Sequence, residues 1–468
     1  MRPVSVGAVE SGASHLYARH LALLACKNGT IDVASSLDDS RVVARVAPTA
    51  PVVNVRFSRR MLAWLLVLIF GPWLVVAALL AGPKLWAGTQ SLLPFRVRAV
   101  SAQKSKGQSG PWGELKYARL NLDLPDEFVF VLPGDCPPIR WFFKGYSKEQ
   151  ALEFLKSADL TAAQRDVLKS AAWSTTAEGV AVSPGDALIL GLSPAARAKI
   201  YALLVEFPEN CQWIDPVWIQ PELLEERLKD SKLSAASVAL LKRLLYQQAG
   251  SPLLLFADFE PALRQLPDES EQRRFMKAVS RKSTLLATLK IEPGADVESL
   301  ANYWGIGGRH RDLVPLLSSL RRVDGGCNIN VVCLLPPFLR DHLYTYPLPP
   351  VNAAAVKQDC FWSAMNAFNQ TPDDRFNDMQ YVHKVLDTEY YNILEPSQLG
   401  DLIFLATKSN EAIHAAVYVA DDIVFTKNGA VYTQPWLLMR QRDMIETYAV
   451  RYPSSGPLQV LYFRKKAL

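Results

Sequence analysis

The run Met61 to Gly82, MLAWLLVLIFGPWLVVAALLAG, carries no charged residue and constrains this chain more than any other feature. About 20 apolar residues in a helix cross the hydrocarbon core of a bilayer, so the run predicts a transmembrane helix. Pro72 lies inside it. A break of that kind is tolerated in a spanning helix, where neighbouring groups re-satisfy the freed backbone. Leu79-Leu80-Ala81 lacks the small residue that a signal-peptide cut wants three positions upstream, and the preceding segment is far too long for a signal n-region. Arg41, Arg45, Arg56, Arg59 and Arg60 precede the run, whereas Lys84, Arg96 and Arg98 follow it. That bias places the N-terminus in the cytoplasm. The expectation is a single-pass cell-membrane protein with the lipid bilayer as one partner and its larger, C-terminal part in a periplasmic or extracellular space.

The chain has 468 residues, room for two or three domains beside the span. A net charge of +5 over this length, with no clustered basic and aromatic residues, excludes nucleic acid as a partner. Hydrophobic residues make up 49%, enough to offset the entropy of ordering, so disorder throughout is excluded too. Of the six cysteines, Cys26 falls on the cytoplasmic side, which leaves an odd number where disulfides form. Cys327 with Cys333, and Cys136 with Cys211, are the candidate pairs, with Cys360 left over.

Residues 1–60 read as a weakly structured segment, 61–82 as the span and 83–113 as a Gly-, Ser- and Lys-rich linker. From 114 to 347 helix starts recur: Thr161 with Gln164, Ser193 before Pro194, and Ser234 opening a helix that runs to about Gly250. Phe128–Leu132, Leu253–Phe259 and Thr284–Ile291 read as strands, giving a mostly helical or mixed α/β module. It suits a spacer, a partner platform or a wall-binding module equally. Tyr303 to His310 is rich in glycine but has no feeding strand and no Gly-Lys-Ser/Thr, so it reads as a turn after a helix beginning near Asp296. His310 and His342 stand apart from other ligand types, so no metal and no cofactor is expected. The Pro-rich stretch 335–350 marks a boundary, with the last domain at 348–468.

That last stretch has its own grammar. Asp359-Cys360 opens an amphipathic helix, where backbone N–H groups favour a thiolate. Leu399-Gly400-Asp401-Leu402-Ile403-Phe404 enters a strand, Ala412 to Val419 forms a second carrying His414, Ile423 to Lys427 a third, and Leu458 to Phe463 a closing one. Asp359-Cys360, Gly400-Asp401-Leu402-Ile403-Phe404 and His414-Ala415-Ala416-Val417-Tyr418 stand in the order of the motifs of NlpC/P60 cell-wall cysteine peptidases, which this quarter of the chain resembles. Phe361-Trp362 replace the Ser-Gly that usually follows the family's cysteine.

The resemblance implies an α+β, papain-like fold in which Cys360 is the nucleophile and His414 the base. It implies hydrolysis of amide bonds in peptidoglycan stem peptides, with the wall peptide as substrate. The third catalytic position of the family falls at Thr426, and Asn428 is the better chemical match for an amide that holds the ring. A loop at Ala420 to Asp422 puts both on the face of His414, whereas a two-residue turn at Asp421-Asp422 would favour Lys427. His383, in a helical context, reads as a surface residue. The alternative expectation is a catalytically inactive envelope scaffold or wall-binding protein with a degenerate peptidase domain. Acyl transfer on another substrate is a third reading.

Overall fold

The computed structural model describes residues 105–132, 138–213, 216–348, 357–452 and 456–467. The predicted span 61–82, the segment 1–60, and Cys26 and Cys136 lie outside the described residues. So does the proposed Cys136–Cys211 pair. No helix among the described residues is long and apolar enough to cross a membrane.

The described chain is α+β with antiparallel sheets. Its caps follow from local sequence. Ser147 and Thr161 each accept from the backbone of the glutamine three residues on, whose side chain returns a bond to the cap backbone. Ser193 accepts from Ala196 N, with Pro194 at the first helical position, and Ser234 accepts from Ser237 N. Such caps are each worth about 1 kcal/mol. The helix opened by Ser234 ends at Leu244, short of Gly250, because Tyr246 leaves it to bridge to Leu255 in a sheet. Of two predicted strands, Phe128–Leu132 forms none and Leu253–Phe259 shrinks. Asp126–Phe128 is a helical turn whose Phe128 ring turns into the core, and only Leu254–Phe256 of the second run is extended. Lys282–Ile291 is a strand as expected, paired with Glu114–Leu122. Pairing begins upstream of Glu114, inside the expected linker, at Ser105–Lys106. Trp112 there packs edge-on against Tyr303 and Tyr418, and its carbonyl accepts from Trp304 Nε1 at 3.0 Å.

The C-terminal sheet has six strands in the order Tyr390–Ile393, Gln459–Lys465, Leu402–Ala406, Ala412–Ala420, Ile423–Lys427, Trp436–Arg440, each antiparallel to its neighbours. Gly400, at φ +96°, makes the turn into the third of these, and its backbone passes the Phe368 ring so closely that a Cβ would lie 2.2 Å from it. The open edge at Trp436–Arg440 is covered rather than left to recruit another chain. Tyr344 N donates to Trp436 O at 2.9 Å, Trp436 N to Thr345 O at 3.0 Å, and Thr284 Oγ1 both donates to and accepts from Leu438 at 2.9 Å. The Pro-rich segment is thus stitched to the sheet that follows it. One hydrophobic cluster accordingly runs across position 348, joining Leu289, Trp304 and Leu339 to Trp362, Val417 and Phe425.

The two faces of this sheet have separate cores, as strand alternation requires. One carries Leu402, Phe404, Ala415, Val417 and Phe425 against the short helix Cys360–Met365. The other carries Ile403, Leu405, Ala416, Tyr418 and Val424 against Met444 and Tyr448 of the helix Gln441–Arg451.

Cys327 and Cys333 are free thiols. The pair expected from the sequence does not form: Cys327 starts the strand Cys327–Asn330, whereas Cys333 sits on the helical turn Val331–Leu334 that follows.

Candidate functional site

Asp359 caps the Cys360 helix, its carboxylate accepting from Trp362 N at 2.8 Å. Cys360 is therefore the first helical residue, 6% exposed, with its thiol against the backbone of Ala415 and near Lys427. The helix start does not give it a low pKa. Burial pushes the thiol up to about 12 and the Asp359 carboxylate adds to this, against smaller opposing effects of the Ala415 N–H and the Lys427 ammonium. Burial likewise raises the Asp359 carboxyl.

His414 is fully buried. Its Nε2 shares a 2.8 Å hydrogen bond with Thr426 Oγ1, its ring stacks on Tyr448 with centroids 4.0 Å apart, and Nδ1 has no hydrogen-bond partner. Burial, with a smaller contribution from the Arg451 charge, brings its pKa down to about 3.

The structure thus brings His414 and Thr426 together and holds Cys360 away from both. The reason is strand parity. His414 is paired with Leu405 and Ala415 with Phe404, so His414 shares the face of Leu405 and Tyr448 while Ala415 faces the Cys360 helix. The hairpin turn is the two-residue Asp421-Asp422, since Ala420 pairs with Ile423, but a bulge at Val419 shifts the register back to Tyr418 with Val424 and Val417 with Phe425. Thr426 consequently lands on the face of His414. Lys427 lands on the face of Cys360.

Lys427 is the residue that sequence reasoning placed only as a branch. It is fully buried, donates from Nζ to the carbonyls of Gly429 at 2.6 Å and Val431 at 3.0 Å, and lies 6.0 Å over the Trp436 ring. Burial brings its ammonium down to about 7, partly offset by Asp359 and Cys360. Asn428 lies past the end of the strand, where its Nδ2 reaches Met439 Sδ at 3.8 Å and its Oδ1 has no partner; it does not hold His414. Tyr448 had no signal in the sequence beyond being aromatic, because its role depends on which helix returns over the sheet. His383 sits half-buried on the helix Met379–Glu389. His310 bonds Glu298 at 2.9 Å and His342 the Phe338 carbonyl at 2.8 Å. No group of His, Cys, Asp and Glu suited to a metal ion occurs among the described residues.

The chain matches no family model, no curated protein and no solved structure.

Proposed function

We propose that this is a membrane-anchored envelope protein whose C-terminal domain has an NlpC/P60-like, papain-like layout and serves as a binding scaffold for the cell wall, not as a thiol hydrolase. The uncharged run 61–82 is its anchor, with the N-terminus in the cytoplasm and the remainder in the periplasm or outside the cell. The layout is supported by a cysteine-bearing helix laid on an antiparallel sheet whose histidine strand lies at the centre. One observation carries the loss of activity: Cys360 and His414 point to opposite faces of that sheet. A base must come within about 3 Å of the proton it takes, and this histidine is separated from the thiol by the strand itself. Its pKa of about 3 and the thiol's of about 12 both suit neutral, structural groups.

A second reading keeps the hydrolase. Lys427, titrating near 7 on the thiol's own face, is a candidate base in place of His414. It would take the Cys360 proton as sulfur attacks an amide carbonyl and return it to the leaving amine. The two readings separate when the full-length chain is incubated with purified peptidoglycan, wild type beside Cys360→Ala and Lys427→Met. The scaffold predicts that wild type and Cys360→Ala co-sediment equally with the wall and release no stem-peptide fragments. Fragments from wild type alone, absent in both variants, would establish the hydrolase with lysine as base.

A further inference from the structure

A cavity of about 380 Å³ lies between the helical part of the chain and the end of the C-terminal sheet, with Leu124, Phe128, Met276 and Leu437 among its walls. That is the size of a small-molecule site. Arg227, on the helix Leu224–Leu228, also lines it. Its side chain is only 7% exposed, and among the described residues its one hydrogen bond runs from Nη1 to the Val279 carbonyl, at 2.7 Å. A buried guanidinium is normally matched by a carboxylate, because leaving its charge uncompensated is costly. Among the described residues no carboxylate meets it. Its charged neighbour is another cation, Arg281, which is paired with Asp123 at 2.6 Å and also donates to the Arg227 carbonyl.

The two acids on the cavity wall are engaged elsewhere. Asp258 receives Arg197 Nε at 2.6 Å and the Tyr201 hydroxyl, and Glu260 lies 3.5 Å from Arg264. Lys282 and Arg451 also line it and have partners of their own, so the cavity combines apolar walls with one guanidinium, Arg227, that meets no carboxylate among the described residues. Its complement is a molecule with an apolar body and a single planar anionic head, the head suited to the fork of an arginine.

We infer that this cavity binds an amphipathic organic acid, with Arg227 pairing its carboxylate and the apolar walls enclosing its body. The inference goes beyond the scaffold reading and holds whether or not Cys360 is reactive.

The probe is 4-phenylbutyrate, titrated by calorimetry at pH 7.5 into the full-length chain held in phosphatidylcholine nanodiscs, with empty discs subtracted. Saturable one-to-one binding is expected. The isosteric neutral amide, 4-phenylbutanamide, should bind at least tenfold more weakly, and inorganic phosphate, which lacks the apolar body, should not bind. Arg227→Met should lose at least tenfold in affinity for the acid while raising the denaturant midpoint of the ligand-free protein, since it deletes an uncompensated buried charge. Met439→Trp, which fills the cavity from the sheet side, should block binding with Arg227 intact. No saturable binding, equal binding of acid and amide, binding of phosphate alone, or undiminished binding by Arg227→Met would each overturn the inference.

Discussion

Acidification tests the assignment of His414 as a buried, neutral group. Its pKa is about 3 in the fold, because burial disfavours the imidazolium, against about 6.5 in an unfolded chain. The folded state therefore binds fewer protons than the unfolded state between these values. Stability is fully present above the unfolded pKa and falls as pH drops through the window toward 3. At pH 5 the unfolded histidine is almost wholly protonated and the folded one almost wholly neutral, a difference worth about 2 kcal/mol. Whole domains are stable by only about 5–15 kcal/mol, so the effect is measurable. The perturbation is His414→Gln, which keeps a polar partner for Thr426 and removes the titration. The assay is urea unfolding of the full-length chain by tryptophan fluorescence at pH 7.5 and pH 5. Burial also holds the His342 ring below its ordinary pKa, so the quantity to compare is the difference between wild type and variant. Wild type should lose about 2 kcal/mol more than His414→Gln over that interval. Equal losses would refute the reasoning, and would mean that the imidazole is hydrated and free to act as a base.

Other outcomes follow from the same structure. With its thiol near 12 and buried, Cys360 should be labelled by iodoacetamide at pH 7.5 far more slowly than exposed Cys333, and His414→Ala should leave that rate unchanged; peptide mass mapping reads both, and fast, His414-dependent labelling would point to an assembled pair. Asp258→Ala strands the fully buried Arg197 guanidinium and should cost about 3–5 kcal/mol in chemical denaturation. A loss under about 1 kcal/mol would show that water reaches that charge. Gly400→Ala combines a positive φ with a Cβ 2.2 Å from the Phe368 ring, and should lower stability by about 1–3 kcal/mol. An unchanged denaturation midpoint would mean that the ring yields freely.

Features that depend on near neighbours in the chain were legible. The caps at Thr161, Ser193, Ser234 and Asp359 are short-range hydrogen bonds that a few consecutive residues specify. So were four of the six strands of the C-terminal sheet, whose apolar runs end at turn residues, but not Tyr390–Ile393 or Trp436–Arg440. Phe128–Leu132 misled because a short apolar run looks alike whether it becomes a strand or packs as a turn against a distant core. The shared core across position 348 was hidden for the same reason. Proline marked a break in local pattern, but Tyr344 and Thr345 found their backbone partners on Trp436, far along the chain.

Local pattern was enough to start a helix at Cys360, to put His414 on a strand, and to put Thr426 on the same face if Ala420 to Asp422 form the loop. That register came from the fold: the turn Asp421-Asp422, with Asp421 at φ +57°, is followed by a bulge at Val419 that the residue pattern of the two strands does not specify. In a strand, successive side chains point to opposite faces, so one residue separates a histidine beside the thiol from a histidine behind the sheet. Ala415 took the place beside Cys360, and Lys427 joined it. Arg227 was settled in the same way: its charge is plain in the sequence, but that no carboxylate among the described residues meets it depends on where Asp123, Asp258 and Glu260 find their partners.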